Sequence, residues 1–452
     1  MKIIIAGAGE VGAALTQNLV GSGYEITLID GDKEALEAAC EHYDILGVQG
    51  NCASVETLEA AGVKSADLIV AVTNADEVNL LCCVTARHLN GRVHAIARVR
   101  NPEYVNQTFS MQEVFGLAMT INPEQATAHE IGQLLRYPGF LGRDAFAKGR
   151  VEIVELQVSA DSPMNGLMLK DLSSSLDCRL LVCSVIREGK AIMPGGSFTI
   201  REGDRVFVTA PSKILNKLLR KLGIITHRVK RVILCGGGRI SFYLARALEQ
   251  VGIETQIIEQ NKERCEWLAR ELPDSAVICG DASNRWLLQS EGLMGCDALV
   301  SLTDRDELNV LISMYAKTKG VPLVITRQSE RKRLPMLDEL ALGTIISPKD
   351  VCSDAIVQYV RSMRDSGGDT AVTVQSIADG FAQASEFIIR PGTPNQNVPL
   401  KDLALKDGVL VAAISRGKNI EIAGGLSTFT EGDSVIIISQ QEEIVHFGDI
   451  FA

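Results

Sequence analysis

The chain has 452 residues, with 45 Lys plus Arg against 56 Asp plus Glu for a net charge of −11, and 46% of its residues are apolar. That hydrophobicity excludes a disordered chain, and the length predicts about two to four domains. The acidic balance argues against a nucleic-acid partner, and no apolar run approaches the ~18 residues needed to span a bilayer.

Lys2 to Ala6 reads as a strand. It is not an export signal, because Glu10 interrupts the apolar stretch and a glycine turn follows. Gly7-Ala8-Gly9-Glu10-Val11-Gly12 leaves that strand and opens a helix, the context a dinucleotide fingerprint requires. Gly7 allows the tight turn, Gly9 lets a pyrophosphate approach the backbone, and Gly12 lets the helix sit on the sheet. The helix N-terminus offers unpaired N–H groups and a positive dipole end to phosphate. Asp30 ends the next strand, where a carboxylate accepts both ribose hydroxyls and repels a 2′-phosphate, favouring NAD(H) over NADP(H). Asn51 follows the third strand, Thr73 and Asn74 the fourth, and Arg98 closes the fifth. In an open parallel sheet those strand ends border the ligand crevice. Asn51 suits an adenine or ribose edge, Thr73 and Asn74 the ribose or phosphate, and Arg98 phosphate oxygens. Each also has a structural alternative, as a helix cap or a strand-end salt bridge.

The pattern then recurs. An offset of 229 carries Gly7 to Gly236 and Asp30 to Glu259, and an offset of 230 carries Thr73–Asn79 (TNADEVN) to Thr303–Asn309 (TDRDELN). The second turn is Gly236, Gly237, Gly238, Arg239, Ile240, with Ser241 in place of the third glycine and Arg239 in place of Glu10. Glu259 is one methylene longer than Asp30, while Asp281, Thr303 and Arg327 stand where Asn51, Thr73 and Arg98 stand. These departures leave the second site's nucleotide open. Leu-Lys-Asp-Leu at 169–172 and 400–403, and Glu-Gly-Asp at 202–204 and 431–433, extend the repeat into strand-rich segments. The expected architecture is α/β: two doubly wound parallel-sheet (Rossmann-like) domains at 1–124 and 231–348, each followed by a small mixed α/β lobe, at 143–227 and 368–452. A helix before Pro138 and its counterpart near 348–366 read as crossovers, and 366–369 as a joint.

Catalytic patterns are sparse. Tyr315 and Lys319 have the spacing of short-chain dehydrogenases, but Ala86 and Asn90 replace them in the first half, so a helix tyrosine beside a surface lysine is the better reading. The 11 cysteines and six histidines follow no zinc or disulfide spacing, which predicts reduced thiols of a cytosolic protein and no metal. The basic run at 213–231 reads as a helix and linker, with an anionic surface as the alternative.

The repeated order of Gly-x-Gly, distal acid, Gly-Asn or Gly-Asp, Thr-(Asn/Asp)-x-Asp-Glu-x-Asn and strand-end Arg resembles the RCK/KTN family. The Leu-Lys-Asp-Leu and Glu-Gly-Asp segments are similar to the C-terminal lobes of that family, and the likeness covers the whole chain. The resemblance implies a regulatory protein, not an enzyme. It implies NAD(H) as ligand, with ATP or ADP as further ligands. It also implies a homo-oligomeric ring, a tetramer of tandem chains, at the cytoplasmic face of the inner membrane under a membrane-embedded potassium-translocating subunit of Trk type. An NAD(H)-dependent oxidoreductase and a nucleotide-dependent scaffold are the alternatives.

Overall fold

The computed structural model describes residues 1–20, 23–101, 104, 115–136, 142–146, 151–176, 180–211, 215, 218, 222, 229–329, 342–364, 371, 373–378, 381–417, 419–440, 444 and 446–451. The joint at 366–369 and most of the basic run at 213–231 lie outside them. Within that run Leu215, Leu218 and Leu222 are described, and all three are buried.

Six short strands open the chain: β1 (Lys2–Ala6), β2 (Glu25–Asp30), β3 (Leu46–Gln49), β4 (Leu68–Ala71), β5 (His94–Arg98) and β6 (Met119–Ile121). They form a parallel sheet in the order β3-β2-β1-β4-β5-β6. Ile3, Ile4 and Ile5 of the central strand are all buried, as a strand covered on both faces requires. The strand order reverses between β1 and β4, so the crevice at their carboxyl ends is where such a sheet takes a ligand.

The next five strands are β7 (Gly142–Phe146), β8 (Val151–Gln157), β9 (Leu181–Arg187), β10 (Lys190–Ile192) and β11 (Arg205–Pro211), antiparallel in the order β10-β9-β11-β8-β7. Both arrangements then recur. β12 (Arg231–Cys235), β13 (Glu254–Glu259), β14 (Ala276–Cys279), β15 (Ala298–Ser301), β16 (Leu323–Arg327) and β17 (Thr344–Ile346) repeat the first sheet's order. β18 (Thr373–Ile377), β19 (Ala382–Ile388), β20 (Val409–Arg416), β21 (Asn419–Ile422) and β22 (Ser434–Gln440) repeat the lobe's.

The chain divides into two compact units, 1–136 with 229–357, and 137–228 with 358–452. The first unit holds both parallel sheets, joined by exchanged helices. Ala128, Ile131 and Leu135 of the helix Pro123–Arg136 share one core with Phe242, Leu244, Ala245 and Leu248 of the helix Arg239–Glu249. In the other direction, Asn18 Nδ2 on the helix Glu10–Leu19 donates to Ser353 Oγ on the helix Pro348–Arg364 at 3.0 Å. The crossover helix of the first half therefore lies on the first helix of the second, and a hydrogen bond links the corresponding pair in the other direction. The second unit holds both antiparallel lobes. Phe146, Ile153, Ile186 and Phe207 of one lobe share a core with Ile377, Ala384, Ile436 and Ile438 of the other.

Candidate functional site

The glycine turn after β1 is built by sterics. Gly7 has a φ of 113°, and a Cβ there would lie 3.0 Å from the backbone of Val72 and Thr73, so no side chain fits. A Cβ on Gly12 would fall 1.8 Å from the Gly7 carbonyl oxygen, which is how closely the helix Glu10–Leu19 approaches the turn. Gly9 differs, because a Cβ there meets nothing within 4 Å. It begins the helix without a side-chain cap, so the first N–H groups of the helix are not taken up by a capping side chain.

The second turn repeats this with compensated changes. Gly236 has a φ of 109°, and Gly238 again faces open space. Ser241 takes the place of the close-packed glycine, and its buried hydroxyl donates to the Gly236 carbonyl at 2.5 Å. Gly237 stands where Ala8 stands, and a Cβ there would lie 2.7 Å from Leu268 Cδ1. A Cβ at residue 237 would lie 2.9 Å from Cβ and Cγ of Glu259.

Both distal acids are held by backbone. Asp30 Oδ2 accepts from the Ala8 N–H at 2.5 Å, and Oδ1 accepts from the Asp32 N–H at 2.8 Å. Glu259 Oε2 accepts from the Gly237 N–H and Oε1 from the Asn261 N–H, both at 2.7 Å. A carboxylate oxygen has more than one acceptor position, so each acid is oriented by the turn and keeps capacity for a ribose hydroxyl. Asn51 and Asp281 each turn a side-chain oxygen onto the N–H two residues on, to Ala53 at 3.0 Å and Ser283 at 2.8 Å.

The ends of β4 and β5 are braced by a residue the sequence reading passed over. Asn79 is fully buried; its Oδ1 accepts from the Thr73 N–H and hydroxyl at 2.8 and 2.7 Å, while Nδ2 donates to the Thr73 and Arg98 carbonyls at 3.1 and 3.0 Å. Asn309 repeats this with Thr303 and Arg327. Both asparagines end the repeated Thr-to-Asn motif, which was the available signal. The helix at Asp76–Leu89 begins from Ala75 without a side-chain cap, so capping is not the role of Thr73 or Asn74. Arg98 is only 7% exposed and donates to the Thr73 carbonyl at 2.8 Å and Asn74 Oδ1 at 3.3 Å. Arg327 donates to the Thr303 carbonyl at 2.7 Å. Nε of each is buried without a hydrogen-bond partner. Burial, with the Arg100 charge beside it, pulls the Arg98 pKa down, yet a guanidinium stays charged near neutral pH.

Around the second turn these residues line a cleft of about 380 Å³. Gly236, Gly237, Gly238, Glu259, Asp281, Thr303 and Arg327 all border it, together with Asp304. Arg264 and Arg305 border it too, and the sequence reading missed both. Arg264 Nε donates to the Gly237 carbonyl at 2.7 Å, and its guanidinium lies 4.2 Å from the Trp267 ring centroid. Arg239 and Ile240 open the helix beside the cleft, and Arg239 Nη1 stands 3.8 Å from Glu124 Oε1 of the crossover helix.

Tyr315 and Lys319 do not border the cleft; the Tyr315 hydroxyl accepts from Gln289 Nε2 at 2.8 Å. Among the described residues no group of three or more His, Cys, Asp or Glu side chains could hold a metal ion, and no helix is long and apolar enough to cross a membrane. The described cysteines are free thiols, and burial pushes Cys183 and Cys235 up to about 12.

Known proteins share this arrangement. The TrkA-N domain family matches residues 3–123 and 232–348, and the TrkA-C domain family residues 153–223 and 384–452. The Trk system potassium uptake protein TrkA of Vibrio alginolyticus is 31% identical over 98% of this chain and 97% of its own. The TrkA homolog of Archaeoglobus fulgidus is 31% identical over 100% of both chains. The solved structure of the GsuK channel bound to NAD covers 97% of this chain and 77% of its own, with a TM-score of 0.63 at 16% identity, a likeness of fold. The relatives' names are those of a potassium uptake system and not of an enzyme. With both domain families present twice and in order over its whole length, the chain belongs to the TrkA family.

Proposed function

We propose that the chain is the nucleotide-sensing regulatory subunit of a potassium-uptake system, and that it binds an adenine nucleotide, NAD(H) first among them, in each parallel-sheet half. The observation that carries this reading is the repeated turn. In both halves a distal acid is oriented by the turn's second N–H, beside a residue, Gly9 or Gly238, that faces open space at an uncapped helix start. The pyrophosphate lies over Gly9 and Val11 in one half and Gly238 and Ile240 in the other. Asp30 and Glu259 take the ribose hydroxyls, and Asn51 and Asp281 the adenosine edge. Arg98 and Arg327 face the phosphates from the strand ends, positioned by Thr73 and Thr303.

The functional modules are the four segments 1–124, 143–227, 231–348 and 368–452. Homo-oligomers, tetramers of tandem chains, form a ring at the cytoplasmic face of the inner membrane. There a membrane-embedded potassium-translocating subunit of Trk type carries the ion. A ligand shifts a conformational equilibrium only by the difference in its affinity for the two shapes. The exchanged helices supply that difference: Glu124, 3.8 Å from Arg239, ties the crossover of one half to the glycine turn of the other, so occupancy of a cleft bears on the packing between halves. ATP and ADP act through the same clefts.

The test is calorimetric titration of NADH into the purified chain. Asp30→Ala removes the ribose acceptor and is expected to weaken binding at the first cleft by about tenfold or more. Equal affinities for the variant and the parent chain would overturn the assignment.

A further inference from the structure

Among the described cysteines Cys279 alone is exposed, and a second thiol stands beside it. Cys279 ends β14 and pairs with Glu259 at the end of β13. Cys265 lies in the first turn and a half of the helix Lys262–Glu271 and turns back onto the same strand end. Its Sγ donates to the Glu259 carbonyl at 3.2 Å, while the Cys279 Sγ lies 4.0 Å from the next carbonyl along, that of Gln260. Seated on consecutive carbonyls, the two thiols interact with each other. Cys265 is 7% exposed, and burial, with the Cys279 thiol beside it, pushes its pKa up to about 11. One sulfur of the pair therefore meets solvent and the other is covered, as an attacked thiol and its resolving partner are. Cys52 and Cys82 also interact, but both are buried and offer an oxidant no exposed sulfur. The pair at 265 and 279 belongs to the second half alone, since Leu36 and Gln49 take its positions in the first. It also adjoins the second cleft, which Glu259, Gln260, Arg264 and Gly280 border.

We propose that Cys265 and Cys279 are an oxidisable pair that a hydroperoxide, such as hydrogen peroxide, converts to a disulfide, and that the bridge weakens nucleotide binding in the second cleft alone. The effect on binding rests on the reading that this cleft holds an adenine nucleotide; the bridge does not. The Cys279 thiolate attacks one peroxide oxygen and the O–O bond breaks. A sulfenic acid forms, and the departing hydroxide takes up the proton the thiol gave, leaving as water. The Cys265 sulfur then attacks the Cys279 sulfur, the S–O bond breaks, and the hydroxyl leaves with the Cys265 proton as a second water. Two thiols lose two electrons, and one peroxide is reduced to two waters. Closing an S–S bond of about 2 Å removes the proton that Cys265 gave to the Glu259 carbonyl and draws its helix toward β14. β13 lies between β14 and β12, so that movement carries Arg264 away from the Gly237 carbonyl, which it meets at 2.7 Å in the turn after β12.

The experiment treats the full chain with hydrogen peroxide, removes the peroxide, blocks free thiols and maps the tryptic digest by mass spectrometry without reduction. Cleavage after Arg264, Arg270 and Arg285 puts the two cysteines in separate peptides. The expected product joins 265–270 to 271–285 with the loss of two hydrogens, and dithiothreitol separates it again. Cys265→Ser is expected to leave on Cys279 a sulfenic acid that dimedone labels, and Cys279→Ser to give neither bridge nor label. NADH is then titrated calorimetrically into the Asp30→Ala chain, which reads the second cleft by itself. The bridge is expected to weaken that binding by about tenfold, with recovery on reduction, and Cys279→Ser to make it insensitive to peroxide. A treated chain without the 265–279 link, or a linked chain that binds NADH as the reduced one does, overturns the proposal and leaves the nucleotide reading standing. A reduced chain that binds no NADH at this cleft overturns the nucleotide reading and with it the effect on binding, while the peptide map still decides the bridge.

Discussion

Gly9 and Gly12 stand less than one helical turn apart and answer different demands. Gly12 serves the fold, because a Cβ there would press to 1.8 Å from the Gly7 carbonyl oxygen. Gly9 leaves room for a ligand, because a Cβ there meets nothing within 4 Å and its φ of −68° suits any residue. Gly12→Ala is therefore expected to lower the thermal midpoint of the chain, since backbone has to move to admit the methyl group. Gly9→Val is expected to leave the midpoint in place and abolish NADH binding at the first cleft. Thermal melts with and without NADH separate the two. The fingerprint glycines and Asp30 were legible because their chemistry follows from their own spacing. Asn79 was not: it lay inside the quoted Thr-to-Asn motif, but its four bonds join β4 to β5, and nothing in local spacing reports a cross-strand brace. Arg264 escaped notice for a similar reason, since Gly237 meets it only once β12 and β13 pair, while Trp267 lies three residues on along the same helix.

The lobes are held by one repeated ion pair at the strand ends. Asp204 is 1% exposed; Arg187 grips both its oxygens at 2.7 Å, and the Arg201 N–H adds a bond at 2.8 Å. Arg416 and Asp433 repeat the grip in the second lobe. Burial alone would raise the Asp204 carboxyl, but the Arg187 bonds, the Arg201 N–H and both arginine charges outweigh it and hold the pKa below the ordinary value. A depressed folded-state pKa means that the pair stabilises the lobe fully above the unfolded carboxyl's value of about 3.9 and loses its effect as pH falls through the folded one. Asp204→Asn is expected to lower the opening free energy of β9 and β11 by ~2 kcal/mol near neutral pH and to flatten its acid dependence, read by native-state hydrogen exchange. The Glu-Gly-Asp repeat pointed to matching turns without revealing this role for the aspartate. Leu-Lys-Asp-Leu was a weaker guide. It opens the helix Leu169–Ser175 in one lobe and only the short turn Leu400–Asp402 in the other. The step from Leu400 to Val409 is nine residues, against twelve from Leu169 to Leu181.

At the scale of the whole chain, duplication made most of the fold readable. Matches in one order at nearly constant offsets gave the same strand sequence twice, and the sheets β3-β2-β1-β4-β5-β6 and β14-β13-β12-β15-β16-β17 share one order. The exchange of crossover helices was not readable. Amphipathic spacing shows that Pro123–Arg136 buries a face, but not that the face belongs to Arg239–Glu249, more than a hundred residues on. An ion pair crosses between the halves, from Glu124 on the crossover helix of one to Arg239 at the glycine turn of the other. The central claim is that each half grips an adenine nucleotide through its turn and distal acid without consuming it. The most direct measurement is the stoichiometry of bound nucleotide in the full chain, titrated to saturation with NADH and then ADP and followed for NADH oxidation. The account predicts two nucleotides per chain, one after either Asp30→Ala or Glu259→Ala, and a constant NADH absorbance. A parent chain that binds none, or variants that still bind two, would contradict it.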